Sequence, residues 1–584
     1  MDRKGIISVV LAVLVLLLWQ IEFAPRFAPA TLPPGASPSP TASPTASPTA
    51  SGSPAPATAA TAAPAVIGSA VPAATPAAPT VPEQITTVPG PSALYHFTNL
   101  GGGISRAELT GYPAESGSNV QLNEFGTLPI GAVSDKAGEG ADLPYTVSTQ
   151  GNAVLCVRDQ PAGLSISKKF TLPASVQDAH GYRVILDVTF ANHGAAPLSS
   201  NGYYLYVGSA TPIHQRDLLQ YTAFDWLVQG GKATHIDVNW FNAGKIPFVG
   251  LETHPERPIY TADADKIGWA TVNSQFFTTV VAPRNGAAGS GVWAHRFPVK
   301  TDSRNVLALE GALRMPAFSV APGQSVTQTF EIYAGPKIYG VLKNLGDGQE
   351  RILNFGLFSP VSVFLLDTMN WLHHWTGSYA IAIIILTLCI RGVLWPIQNK
   401  ATASMRQMQE LQPRMAELKE KYKDDPTRMN TEVMKLYKEY NVNPLSGCLP
   451  MFVQIPIFFG FYRMLGTAIE LRSSKFLWVH DLSQPDTVFH LMGNPSLPVN
   501  ILPICMAVSM IVQMSMTPKS GDKAQQKMFM FVPLIFVVFC YNFASALALY
   551  WTVQNVFSIT QLYVTRKRTA PAPFKPAPAK RKSR

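Results

Sequence analysis

The stretch "LTLCIRGVLWPIQNK", residues 386–400, sets a permanently charged guanidinium inside a sequence that otherwise reads as membrane. Arg391 follows twelve residues without a charge, from Tyr379 to Ile390, and Trp395 and Pro396 come soon after it. An arginine at a bilayer centre costs about 2.5–3.5 kcal/mol even on the lenient insertion scale. Two explanations are open. Pro396 lies five residues on, about 8 Å along a helix rising about 1.5 Å per residue, so the side chain can snorkel to the interface. Otherwise something within the membrane needs the charge.

Working outward, apolar spans occur at about 377–396, 448–467, 498–516, 528–544 and 546–565, several of them near the length of about 20 residues that crosses a bilayer. The last two leave only residues 542–546 for a tight hairpin. The chain starts "MDRKGIISVVLAVLVLLLWQI", basic and then apolar, which fits a cleaved signal peptide or an uncleaved anchor. The "APA" at 28–30 is a poor cleavage site, since it contains Pro29 and lies far from the apolar core. An anchor over residues 1–23 is the expectation, with a cytoplasmic N-terminus because Arg3 and Lys4 precede it.

Charge placement tests this topology. Nine Lys/Arg lie between 397 and 447, two (Arg472 and Lys475) in 468–497, three in 517–527 and eight from 566 onward. Basic residues therefore gather in the segments that a cytoplasmic N-terminus would leave inside. The formal net charge of +10 is explained by that placement rather than by nucleic-acid binding. Both termini are expected to be cytoplasmic.

Residues 24–90 are Pro/Ala/Ser/Thr-rich, including "TASPTASPTAS", and read as an extended, disordered linker. Residues 91–340 read as one large all-β domain, an antiparallel sandwich. In "YRVILDVTF", Tyr182, Val184, Leu186, Val188 and Phe190 share one face while Arg183, Asp187 and Thr189 share the other. "GYYLYVGSA", "SQFFTTVVAP" and "QSVTQTFEIYAGP" are similar runs bounded by turn residues. Of the five cysteines only Cys156 lies here, so the domain has no internal disulfide. Its scattered histidines form no HExxH, and neither GxSxG nor a phosphate-binding glycine loop occurs. No catalytic residue, metal ligand or cofactor is expected, and the chain does not read as an enzyme. A paired-carboxylate glycosidase, whose residues can lie far apart in sequence, is the remaining catalytic alternative.

Residues 341–376 contain "LFSPVSVFLLDTMNWLHHW", expected to be an interfacial amphipathic helix. Phe364, Leu365, Thr368, Leu372 and Trp375 fall on one face, and Asp367, Asn370 and His374 towards the other. Within the five-helix region 377–568, the loop 397–447 contains two helical stretches broken at Asp424-Asp425-Pro426. Met405, Met408, Leu411, Met415, Leu418 and Tyr422 make one apolar stripe; Met429, Val433, Leu436, Tyr437 and Tyr440 make another. A helical hairpin packing stripe on stripe follows, with Pro413 kinking its first helix. Its methionines also suit adaptable contact with apolar client segments.

The segments "IRGVLWPIQNK", "NPLSGCLPMFVQIPIFFGFYRML", "ELRSSKFLWVHDLS", "QQKMFMFVPLIF" and "ALALYWTVQNVFSITQ" occur in an order that resembles the YidC/Oxa/Alb membrane protein insertases. The anchor and the large β domain resemble the Gram-negative YidC form. This resemblance implies a polytopic α-helical protein of the bacterial inner membrane, with a periplasmic β-sandwich related to sugar-mutarotase folds. It also implies a hydrophilic groove open to cytoplasm and lipid. Arg391 aligns with the groove arginine and Thr387 with a position facing inserting segments; Gln454, Gln513, Tyr550, Trp551, Gln554 and Asn555 are further candidates. Trp551 stands where a second tyrosine is usual, and Arg463 where an uncharged residue is usual. Phe452, Ile455, Phe458 and Phe459 are the expected slide along which a client segment leaves into lipid. The function implied is insertion and chaperoning of nascent membrane proteins, alone or with the Sec translocon, without a nucleotide. The basic tail 569–584 and the cytoplasmic loops invite contact with the ribosome or anionic lipid; a topology signal with a solvated end explains the tail equally. A polytopic transporter or channel is the alternative, and a membrane anchor for a carbohydrate-binding sandwich a third reading.

Overall fold

The computed structural model describes residues 81–568, except 116, 141–142, 162, 215–216, 246–251, 301–304, 441, 443–448, 492–497, 518–537 and 539. The expected anchor, most of the linker, most of the span at 528–544 and the tail lie outside the described residues.

The β domain is built as its alternating runs require. Strand Arg183–Asn192 alternates half-buried and buried positions along its length, with Val184, Leu186, Val188 and Phe190 inward. It pairs antiparallel with Leu164–Thr171 on one side and Ser325–Pro336 on the other. These belong to a 13-stranded antiparallel sheet. Its strand Phe277–Pro283 is buried at every position. A four-stranded antiparallel sheet, Ile85–Pro89, Ala93–Thr98, Gly103–Pro113 and Asn119–Leu122, forms the second layer. Phe97 meets Phe170 and Tyr112 meets Phe277 edge-on, each with ring centroids 5.2 Å apart. A further strand of this sheet precedes residue 91. Ile85–Pro89, within the stretch read as linker, pairs with Ala93–Thr98, and the turn closes through Gly90 N–H to Ala93 O.

Between the layers sits Lys168, wholly buried. Its ammonium donates to Gly101 O at 2.6 Å and Gly131 O at 3.1 Å, and lies 4.3 Å from the centre of the Tyr145 ring. Both glycines are left-handed (φ 71° and 81°), the conformation their turns need and that a side chain would strain.

Eight helices follow among the described residues: α1 Tyr339–Leu345, α2 Ser359–Thr376, α3 Tyr379–Glu410, α4 Gln412–Lys421, α5 Pro426–Glu439, α6 Leu449–Thr467, α7 Ile501–Met516 and α8 Ser545–Arg568. Among the described residues, α3 is the helix long and apolar enough to cross a membrane by length and composition, and α7 is a shorter apolar helix. α3 runs through the expected boundary at 396 and ends beside Leu411. Pro413 therefore opens α4 instead of kinking a longer helix, because proline fits a first turn where its missing N–H costs nothing. The hairpin packs stripe on stripe: Leu411, Leu436, Tyr437, Tyr440 and Val442 are buried together, with Met408, Met415, Leu418 and Val433 against them.

The apolar face of α2 divides differently from the expected one. Ser362, Leu365, Leu366 and Met369 are buried, whereas Phe364, Trp371 and Trp375 point outward. The inward face is set by α6, where Ser362 Oγ donates to Gly460 O at 3.1 Å. A Cβ on Gly460 would lie 2.8 Å from Val361 Cγ1, so glycine is what lets the two helices approach.

The β domain rests on the helices at one end. Gln275 Nε2 donates to Gly466 O at 2.8 Å, Gln220 Nε2 to Tyr462 OH at 3.3 Å, and Arg472 to Pro113 O. Arg472 also lies 5.4 Å from the Phe277 ring centre. The tight turn expected at 542–546 is present and pinned: Ser545 N–H donates to Gln484 O and Ala546 N–H to Leu482 O, satisfying the first turn of α8.

Burial pushes the Lys168 ammonium down to about 7, with Cys156 raising and Arg158 lowering it more weakly, and burial pushes Lys337 down to about 8. An unfolded lysine keeps its proton to about pH 10, so between about pH 7 and 10 the unfolded state binds more protons at these sites and the lysines' contribution to stability rises with pH. Urea unfolding of the β domain within the intact protein is expected to show higher midpoints at pH 9 than at pH 7, and Lys168→Met is expected to flatten that rise. Unchanged pH dependence in the variant would refute the assignment.

Candidate functional site

Arg391 stands on α3 one turn beyond Thr387, at the end of a face whose members Ala380, Ile383 and Thr387 are buried. The spacing of three and four residues keeps Arg391 on that inward side. Leu388, Cys389, Gly392 and Val393 are exposed instead. The guanidinium therefore belongs to the helix bundle, where it is partly buried. Among the described residues the group facing it electrostatically is the Tyr550 phenol of α8, and no carboxylate pairs with it.

Tyr550 opens a polar row on α8. Tyr550, Gln554, Ser558 and Gln561 are all buried, and their spacing of four, four and three keeps them on one side of the helix. Gln454 of α6 joins them: its Nε2 donates to Tyr550 OH at 3.1 Å and to Gln554 Oε1 at 3.2 Å. Gln561 Nε2 donates to Trp395 O at 3.3 Å and Asn399 Oδ1 at 2.9 Å, tying α8 to α3 beyond Arg391. Phe461 stacks on Tyr550 at 4.2 Å and Trp395 meets Phe557 edge-on at 5.4 Å. Three helices thus converge on one polar locus with Arg391 at its margin.

Two prolines add to its polarity. Pro396 in α3 has no N–H, which leaves the Gly392 carbonyl, beside Arg391, without its helical donor. Pro456 does the same to Phe452 in α6. Backbone groups left open in this way are tolerated at membrane depth where they line protein or water.

The remaining sequence candidates separate. Thr387 is 1% exposed and its hydroxyl donates to Ile383 O at 2.7 Å, within its own helix. Asn555 turns to α7, where its Nδ2 donates to Ser509 Oγ at 3.0 Å and Met506 O at 3.4 Å. Gln513, one turn past Ser509, is half-buried and no described contact joins it to the cluster. Trp551 meets Phe458 edge-on at 4.9 Å, an aromatic contact. Phe458 thus contacts α8 as well as its neighbour Phe459, while Phe452, Ile455 and Phe459 are the other members of the expected slide. Of these, Phe452 is 56% exposed, Ile455 is half-buried and Phe459 stacks on Phe358 at 5.9 Å. Ser558, Gln561 and Asn399 were not singled out from sequence. The recurrence of polar residues every three or four positions through an apolar span was the available signal. Among the described residues no group of three or more metal-ligating side chains comes together.

Comparison with known proteins decides the family. A family model described as the 60Kd inner membrane protein matches residues 371–572, and one described as the YidC periplasmic domain matches residues 91–371. A protein of Syntrophus aciditrophicus named membrane protein insertase YidC is 32% identical over 516 residues, spanning 84% of this chain and 87% of its own. The chain belongs to the YidC family. A Geobacter sulfurreducens protein of the same name is 35% identical over 418 residues, 71% of each chain. A solved structure described as an active YidC insertase with its first transmembrane domain resolved is 18% identical, covering 83% of this chain and 95% of that one with a TM-score of 0.33. The protein is accordingly an inner-membrane protein of the YidC family, whose β domain is the periplasmic one.

The geometry separates Thr387 from Arg391 experimentally. Thr387→Val removes a hydroxyl already bonded within its own helix, so client insertion is expected to stay within about twofold of wild type. Tyr550→Phe takes the acceptor from Gln454, a loss of about 1 kcal/mol, and is expected to lower the thermal midpoint of the helical region in detergent. A strong insertion defect in Thr387→Val would contradict this separation.

Proposed function

We propose that the protein inserts membrane proteins into the inner membrane, and that Arg391 is the charge that receives the polar tail of a client. The observation carrying this reading is the hydrogen-bonded set Gln454–Tyr550–Gln554 within electrostatic reach of an arginine that has no carboxylate partner among the described residues. A translocated tail brings polar backbone and often acidic side chains across an apolar layer. Polar side chains and open carbonyls beside Arg391 shorten the low-dielectric part of that path.

Magnitudes set how the step ends. Two unit charges about 4 Å apart attract by about 4 kcal/mol at an effective dielectric of about 20. Each large apolar side chain of the client gains about 1.5–3 kcal/mol on leaving water. A handful of such residues outweighs the ionic contact, so the attraction is transient and the client moves on into lipid past Phe452 and Ile455. Burial of the client drives the step, which needs neither covalent catalysis, a cofactor nor a nucleotide.

The same reading puts both termini in the cytoplasm, as the placement of Lys and Arg supports, and makes the exposed Met434, with the half-buried Met405 and Met429, a contact for clients on that side. Action as a chaperone, cooperation with the Sec translocon and contact of the basic tail with the ribosome are extensions of it, each supported by family membership and charge.

A short client with an acidic outer tail, offered to vesicles containing only this protein, tests the proposal by protease protection. Arg391→Lys is expected to retain insertion and Arg391→Ala to lose most of it while remaining folded. Equal insertion by all three proteins would overturn the role given to Arg391.

A further inference from the structure

Between α6 and α7 the chain makes a two-residue hairpin at Leu477-Trp478. Phe476 and Val479 exchange both backbone hydrogen bonds, at 2.9 and 2.8 Å. Leu477, first of the two turn residues, is left-handed with φ 52°. A tight turn with positive φ at that position favours glycine, and the conformation is costly for leucine. Yet Leu477 is 75% exposed, so packing among the described residues does not repay that cost. Strain held without internal compensation points to a contact outside the chain.

The turn is held rigidly from below. Val479 and Leu482 are buried. Trp478 Nε1 donates at 3.0 Å to Asp486 Oδ2, which also accepts from Leu502 N at 2.7 Å and so caps the first turn of α7. The adjoining carbonyls of Leu482 and Gln484 cap α8. The tip is therefore fixed at the ends of two helices on the side that bears the β domain. Beside it, strand Thr487–His490 exposes Val488 and Phe489, and Leu491 follows, half its surface open. This apolar surface continues along α7 through Ile504, Val508 and Ile511, an outward stripe at helical spacing. The exposed Lys475 and His480 flank the turn.

We propose that the Leu477-Trp478 turn, with Val488, Phe489 and Leu491, is a wedge that enters the periplasmic leaflet of the bilayer next to the outer ends of α7 and α8. The occupant is lipid, because the patch is continuous with the outward stripe of a membrane helix and combines an exposed aliphatic tip with a tryptophan, the composition of interfacial anchors. The wedge rests on the membrane reading of the helices. It fixes the height of the 468–491 segment, which links α6 to the β domain through Arg472.

Nitroxide labels at Leu477→Cys and Phe489→Cys, in full-length protein whose other cysteines are replaced, test this in phosphatidylethanolamine–phosphatidylglycerol vesicles. Lys232→Cys in the β domain is the aqueous control and Ile511→Cys the lipid control. Collisions with oxygen are expected to exceed those with a water-soluble nickel chelate at least threefold at 477 and 489, as at 511, with the reverse at 232. Nickel accessibility at 477 and 489 like that at 232 would overturn the wedge, as would shielding from both agents, which would mean another protein segment covers it. A water-like signal at 511 as well would overturn the membrane reading of α7 itself. Leu477→Gly supplies a second measurement, since glycine suits the φ and preserves the turn. It is expected to leave the thermal midpoint undiminished while cutting the oxygen-to-nickel ratio at 489 about twofold; an unchanged ratio would count against the wedge.

Discussion

A cation inside an apolar layer needs partners or water, and that requirement organises the helical half of this protein. Arg391 lies on the inward face of α3, in line with Ala380, Ile383 and Thr387, so it cannot escape into lipid on the opposite side. Among the described residues its surroundings answer with neutral polar groups rather than a carboxylate: Tyr550, held by Gln454, with Gln554 completing the set. A carboxylate would neutralise the charge and end its availability. Amide and phenol groups reduce the desolvation cost yet leave the charge open to a visitor.

The same economy governs the outer ends of the helices. Helix first turns present N–H groups that lipid cannot satisfy. Here the 481–486 segment satisfies them for two helices, through Asp486 on α7 and the Leu482 and Gln484 carbonyls on α8. Arg472, Gln275 and Gln220 then join this end to the β domain. The periplasmic domain is thereby coupled to the helices by hydrogen bonds that a flexible tether alone would not supply.

Much of this was legible from residues alone where one periodicity dominated. The alternation of Val184, Leu186, Val188 and Phe190 foretold a strand with one buried face, and that is how Arg183–Asn192 lies. The two stripes of the 397–447 loop foretold their mutual packing, which Leu411, Leu436 and Tyr437 carry out. Legibility failed where a residue had two compatible partners. Phe364 and Trp375 are apolar at helical spacing, but α6 takes the neighbouring face of α2 through Gly460 and turns these aromatics outward. Thr387, Asn555 and Phe458 look alike as candidates in sequence; only their partners Ile383, Ser509 and Trp551 separate packing from the polar locus.

By itself the sequence determined the class: apolar runs of membrane length, basic segments on one side of them, and a β domain whose faces alternate. These follow from periodicity and composition, which act along the chain and survive without knowledge of any contact. The tertiary structure alone decided which polar residues meet. Gln454 and Gln554 are 100 residues apart in the chain, and whether an amide in an apolar helix turns to a partner, to its own backbone or to a passing client depends on how the helices are rotated against one another. That rotation is set by packing between distant segments, as where Gly460 admits α2, and no local pattern encodes it.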